Sequence, residues 1–263
     1  MARSTYDYTE LWAVADQLAE AARVETLRFF RSDGLQTESK RADFDPVTIA
    51  DRNAEAAMRA ILEHDRPGDS IVGEEFGARQ GSSGLTWVLD PIDGTRGFIS
   101  GTPTWGVLVA LSDDQGPVLG LIDQPYIGER FSGGGGRSDV TGPQGRGSLG
   151  VRATTSLGEA ILFTTFPEVG TQSEAAAFQR VSEQVQLTRY GCDCYAYALL
   201  AAGQIDLVIE AGLQAYDIQA PIAVIEAAGG IVTDWEGNSA HLGGRVVAAA
   251  TRELHAAALE LLR

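Results

Sequence analysis

From about Thr5 to Arg31 the apolar residues Leu11, Val14, Leu18, Ala22, Leu27 and Phe30 recur at near-helical spacing with polar residues between them. This pattern predicts an amphipathic helix, closed by Ser32-Asp33-Gly34. A second helix is expected through Ala54, Ala57, Met58, Ile61 and Leu62. Ahead of it lie Lys40 and Asp45-Pro46-Val47-Thr48-Ile49-Ala50-Asp51, where Asp45, Thr48 and Asp51 by themselves read as turn and cap residues. The period then changes. Ser70-Ile71-Val72-Gly73 is a short strand running into Glu74-Glu75, Gly77 to Gly84 is a loop, and Leu85 to Leu89 is rich in strand formers. That strand meets Asp90-Pro91-Ile92-Asp93-Gly94-Thr95. Pro91 is expected to end it, because proline cannot continue a central ladder, and Gly94 permits an unusual backbone or a close ligand approach. A short helix from Arg96 to Gly101 follows. Trp105 to Leu111 and Pro117 to Asp123 form a hairpin through Ser112-Asp113-Asp114-Gln115-Gly116, with a third strand at Glu129 to Ser132.

Gly133 to Gly136 and Gly142 to Gly147 predict the most flexible stretch of the chain and a boundary between halves, 1–150 and 151–263. Beyond it strands and helices alternate. Ala160 to Thr164 is strand, Ser173 to Val185 helix, Leu187 to Tyr190 strand, and Tyr195 to Ala202 helix. Ile205 to Ile209 is a strand ending in Glu210. Asp217 opens a helix through Ala228, with Pro221 near enough to its start to be tolerated and Gly229-Gly230 closing it. Ile231 to Thr233 and Arg245 to Ala249 are strands, and Arg252 to Leu262 is a final helix. No internal repeat is visible.

The chain of 263 residues, 44% hydrophobic and 21% charged, can bury a sizeable core as one large or two closely packed domains. No basic leader with an apolar core and no membrane-length apolar run is present, so a cytoplasmic location is the expectation. Cys192 and Cys194, one residue apart, suit neither a disulfide framework nor a four-ligand zinc site, and His64, His241 and His255 are too dispersed for a histidine metal site or triad. The formal charge of -16 argues against a nucleic-acid surface. An acidic protein that handles an anionic substrate needs mediating cations.

Acids recur at the ends of the predicted strands: Glu74, Asp90, Asp93 and Glu210, with Asp217 at a helix start. Each alone reads as a cap or a solvated end, and Asp90-Pro91 with Asp93 reads equally as a capped turn. Together they are better explained by convergence on metal ions, and hard carboxylate oxygens select Mg²⁺, Mn²⁺ or Ca²⁺.

Gly73-Glu74-Glu75, Asp90-Pro91-Ile92-Asp93-Gly94-Thr95 and Tyr216-Asp217-Ile218-Gln219-Ala220, with Lys40 and Asp45 to Asp51 upstream, resemble in order and spacing the motifs of the lithium-sensitive, Mg²⁺-dependent inositol monophosphatase-like phosphatases. Tyr216 departs from the tryptophan common in that family. The resemblance implies an α+β fold, the layered α-β-α-β-α sandwich of inositol monophosphatase and fructose bisphosphatase, and usually a homodimer. It implies that the N-terminal half carries most metal ligands and the C-terminal half Asp217 and the specificity residues. Glu74, Asp90 and the Ile92 carbonyl would hold one Mg²⁺; Asp90, Asp93 and Asp217 a second; a third, weaker ion would sit near Glu74, with Mn²⁺ as a possible replacement. Thr95 and Asp51 would position and help deprotonate the attacking water, with Glu74 among the catalytic residues. The amides of Gly94 and Thr95 would receive phosphate oxygens.

Asp90 to Ile99, Gln124-Pro125, Gly191 to Tyr197 and Glu210 to Asp217 are most similar to histidinol-phosphate phosphatases of actinobacterial type. Asp193 and Glu210 would favour the cation of histidinol phosphate, and Arg189 would reach substrate or pair with Asp193. The reading is therefore a small-molecule phosphomonoesterase of histidine biosynthesis. Inositol 1-phosphate or a range of sugar phosphates is the alternative on the same scaffold, and a catalytically silent metal-binding or regulatory protein the alternative of another class.

Overall fold

The structure, a computed structural model, describes residues 6–33, 35, 37–39 and 46–263. Lys40 and Asp45 of the upstream motif lie outside the described residues. The first part of the chain runs α1 (Tyr8–Phe29), β1 (Thr37–Ser39), β2 (Pro46–Thr48), α2 (Ile49–Asp65), β3 (Ser70–Gly73), β4 (Gly77–Arg79), β5 (Thr86–Asp93) and α3 (Thr95–Ile99). It continues through β6 (Gly106–Asp113), β7 (Gly116–Gln124), β8 (Glu129–Gly134), β9 (Arg137–Gly142) and β10 (Gly145–Ser148). Then follow β11 (Ile161–Thr164), α4 (Gln172–Ser182), β12 (Leu187–Tyr190), α5 (Asp193–Ala201), β13 (Leu207–Leu213), α6 (Ala215–Ala227), β14 (Ile231–Thr233), β15 (Gly244–Ala249) and α7 (Arg252–Leu262).

β1 and β2 form a small ribbon. The large sheet has eight strands in the order β10-β9-β8-β7-β6-β5-β3-β4, antiparallel except where β3 runs alongside β5. The second sheet has the order β12-β11-β13-β15-β14, with β11 parallel to both its neighbours. Strand side chains alternate between faces, and the alternation sorts the apolar residues into layers. Trp87, Leu89, Val107, Val109 and Leu111 pack with α1 and α2, whereas Val88, Leu108 and Ala110 face the core shared with α5 and α6. On β15, Val246 and Ala248 point to that central core while Val247 and Ala249 pack with α4 and α7. The result is the five-layer α-β-α-β-α sandwich. In α1 the buried stripe is Leu11, Val14, Leu18, Ala22 and Thr26, with Phe30 just beyond; Leu27 is exposed, because Thr26 satisfies its hydroxyl on the Ala22 carbonyl at 2.9 Å and takes the inward position.

Two expectations are corrected. Pro91 does not end its strand: β5 continues to Asp93, and the pairing with β6 shifts between Asp90 and Asp93, so the proline sits in a bulge where its missing donor interrupts no regular rung. β3 has already finished, its Gly73 opposite Leu89. The glycine-rich stretch is not a linker but the strands β8, β9 and β10 of the large sheet. Its Gly133, cross-strand from Gly120, lies against α6: a Cβ at Gly133 would stand 2.3 Å from the Val224 Cα, and one at Gly120 2.5 Å from the Ala220 carbonyl oxygen. These glycines let a helix backbone settle directly on the sheet. Among smaller differences, Gly77–Arg79 adds the edge strand β4, and α6 begins at Ala215, which places Pro221 in its second turn, where it supplies no N–H to the ladder. Among the described residues no helix is long and apolar enough to cross a membrane.

Candidate active site

Asp90 lies two residues beyond Val88 on β5 and shares its face, towards α6. α6 in turn places Asp217 in its first turn, where the helix dipole favours a carboxylate, and Asp217 accepts the Gln214 amide at 2.6 Å. At the β5 bulge Asp90 accepts the Ile92 amide at 3.0 Å, and Asp93 accepts the Cys194 amide from the start of α5 at 2.5 Å. Carboxylate oxygens of Asp90, Asp93 and Asp217 thereby lie within 4.8 Å of one another. Burial, then Glu74, Asp93 and Asp217, push the Asp90 carboxyl well above its ordinary range. Burial, then Asp193 and Asp217, do the same to Asp93, opposed by the Cys194 hydrogen bond.

Asp51 closes a capping box with Thr48 at the start of α2, so the cap role read from the sequence is present; its Oδ2 accepts the Thr48 amide at 2.8 Å and hydroxyl at 2.5 Å. Its other oxygen is 3.4 Å from the Thr95 hydroxyl, which lies 3.2 Å from the Ile92 carbonyl. Burial raises Asp51 to about 7 against the opposing Thr48 bonds. Gly94 precedes α3 with φ +86°, and a Cβ there would meet the Asp193 side chain at 2.8 Å. Glycine is required twice over, by the left-handed backbone and by the approach of Asp193.

Of these groups Asp93, Gly94, Thr95 and Asp217 line a cleft of about 300 Å³, together with Glu74, Asp193 and Glu210 among others, while Asp90 and Asp51 lie buried behind its wall. Asp193, at φ +45°, is raised to about 6 by burial, with Arg96 opposing. Glu210 is held by the Thr165 amide at 2.6 Å, the Thr165 hydroxyl at 2.9 Å and the Thr164 hydroxyl at 3.2 Å. Burial nonetheless raises it to about 7. Arg189 differs from expectation: it is exposed on the edge strand β12 and is not part of the cleft wall. Among the described residues the basic one of the wall is Arg96, which also stacks 5.0 Å from the Phe166 ring centre. Tyr197 was also missed from the wall. It lies four residues after Asp193 on one face of α5, but the predicted helix began only at Tyr195.

The raised Glu210 carries a sign. Its protonated form is favoured in the folded chain, so between about pH 4.5 and 7 the folded state binds more protons than the unfolded one, and stability falls as pH rises through that window. In EDTA, Glu210→Gln is expected to flatten the loss by on the order of 2–3 kcal/mol. Urea unfolding at a series of pH values measures it, and parallel curves for the two proteins would contradict this account of Glu210.

Buried, mutually repelling carboxylates are costly unless cations compensate them. A set of hard oxygen donors from three aspartates, with Glu74 in the same cleft, fits Mg²⁺ or Mn²⁺ and could hold it. The family profile "Inositol monophosphatase family" matches residues 7–263. The chain is 42% identical to the chloroplastic bifunctional phosphatase IMPL2 of Arabidopsis thaliana, over 95% of this chain and 74% of that protein. It is 34% identical to a histidinol-phosphatase of Mycobacterium tuberculosis over 90% of each chain. An inositol monophosphatase from Zymomonas mobilis superposes with a TM-score of 0.85 at 37% identity, covering 98% of this chain and 99% of that one.

Proposed function

The chain belongs to the inositol monophosphatase family of phosphatases, and from that premise we propose that it hydrolyses L-histidinol phosphate to L-histidinol and phosphate with Mg²⁺. The observation that carries the substrate is the acidity of the cleft wall: besides the aspartate cluster, Asp193 and Glu210 both line it, and Asp193 raises the cost of ionising Asp93 and Glu210. A substrate that brings an ammonium group relieves that cost, whereas a neutral polyol does not.

In this reading Asp90, Asp93, Asp217, Glu74 and the Ile92 carbonyl hold two Mg²⁺, with a weaker third ion near Glu74. The bound ions supply neutralisation of phosphate charge and a more acidic water. Thr95 orients the attacking water through its hydroxyl, and Asp51, raised to about 7, is suited to take a proton from it near neutral pH. The amides of Gly94 and Thr95 receive phosphate oxygens. Arg189, exposed on β12 and not among the residues walling the cleft, is given no role in this reading. This reading places the chain in histidine biosynthesis, and a cytoplasmic homodimer is proposed with it.

The test is phosphate release with Mg²⁺, comparing kcat/KM for L-histidinol phosphate and D-myo-inositol 1-phosphate, with an EDTA control. A preference of more than about tenfold for the first, on the order of 1.4 kcal/mol, is the expected result, with no turnover in EDTA. The second reading, an inositol phosphatase, is favoured by the 37% identity to the Zymomonas mobilis enzyme, and the reverse preference would establish it. Turnover of neither would leave another phosphomonoester, such as a sugar phosphate, or the silent metal-binding protein.

A further inference from the structure

The turn after β3 brings Glu74 to the cleft, and α2 grips that turn from behind. Glu55, fully buried on α2, accepts the Glu75 amide on one carboxylate oxygen at 2.7 Å. Its other oxygen accepts the Phe76 amide at 3.2 Å and the Arg59 Nε at 2.7 Å. Arg59 extends the grip by donating to the Gly77 carbonyl and lying 5.9 Å from the Phe76 ring centre. Gly73 supplies the room: a Cβ there would stand 2.0 Å from a Glu55 oxygen.

We propose that Glu55 is a positioning residue that fixes the backbone immediately after Glu74 and so aims the Glu74 carboxylate at Mg²⁺. This rests on the reading of Glu74 as a metal ligand. A carboxylate leaves water without loss only where fixed donors replace its hydration. Arg59, one helical turn away on α2, would suffice to neutralise Glu55 within the helix. The two amides of the turn are a separate engagement, made across an interface and to consecutive residues, and they leave that backbone little freedom to rotate. A hard cation demands near-ideal geometry of its oxygens, so a loosened turn is felt as weaker metal binding.

Glu55→Gln keeps the shape but presents an amide group to one of the two N–H donors. The expected result is a rise of about tenfold in the Mg²⁺ concentration for half-maximal phosphate release, the scale typical of groups that orient ligands. Calorimetry without substrate should show Mg²⁺ binding weakened by the same factor, while kcat at saturating Mg²⁺ stays within about twofold. Glu55→Asp, which keeps the charge beside Arg59 but shortens the reach, should show a smaller shift in the same direction, and it decides the matter if the glutamine variant does not fold. A variant that melts at a lower temperature with its Mg²⁺ affinity unchanged would overturn the proposal, since that is what a purely structural role predicts. Glu74→Gln in parallel separates the two readings: if it too binds Mg²⁺ normally, the ligand assignment of Glu74 has failed; if it binds weakly while the Glu55 variants do not, the positioning role has failed.

Discussion

Asp90→Asn is expected to lower kcat/KM on the preferred phosphomonoester by roughly a thousandfold or more, about 4 kcal/mol of transition-state stabilisation, while raising the melting temperature of the metal-free protein. Both effects have one cause. Asp90 is nearly inaccessible to water and faces Glu74, Asp93 and Asp217, so its charge is costly until a cation arrives. Asparagine removes that charge at equal volume and can still accept the Ile92 amide. A group kept for function at the cost of stability gives this pair of opposite responses. Phosphate release and thermal melts in EDTA measure them, and near-normal turnover would remove Asp90 from the metal site.

Asp193→Asn should separate the two substrates. Removing a charge that faces an ammonium group in a desolvated cleft costs about 2–5 kcal/mol, so a loss of about a hundredfold on L-histidinol phosphate is expected. On D-myo-inositol 1-phosphate it should stay below about threefold, well under 1 kcal/mol. Asparagine is the informative choice because Asp193 sits at φ +45°, a conformation asparagine tolerates, so that charge changes and backbone strain does not. With Asp193 neutral, Arg96 on the same wall would add repulsion against a cationic substrate. Equal losses on both substrates would take Asp193 out of the specificity argument.

The chemistry was most legible where it is local in the chain. Asp90, Asp93 and Thr95 stand on one strand end and its following helix, and their spacing carries their convergence with little help from the rest of the fold. Strand and helix positions in the second half are legible for the same reason, since period 2 and period 3.6 are read within a few residues, but Glu210 does not end its strand: β13 runs on to Leu213, its pairing with β15 shifting between Glu210 and Leu213. What failed depended on partners elsewhere. Pro91 was read as a stop because a sequence does not show that β3 would already have ended beside it. Gly133 was read as flexible because nothing local shows a helix backbone laid against it. Arg189 is adjacent in sequence to the Gly191 to Tyr197 motif, yet it lies exposed on an edge strand while Arg96 takes the wall. Glu55 carries no local signal of its role. In the sequence it is one polar position of an amphipathic helix, and only the packing of α2 against the β3–β4 turn makes it buried.

The bare glycine faces of β7 and β8 have a consequence for the order of events at the ribosome. Every strand of the large sheet is synthesised before α6, and domains form as units from the N-terminal side as the chain emerges. Until α6 arrives, Gly120 and Gly133 form a groove without its helix, and Asp90 and Asp93 face no Asp217. A nascent chain therefore holds two of the three clustered aspartates in waiting, and the docking of one late helix both seals the groove and completes the cluster.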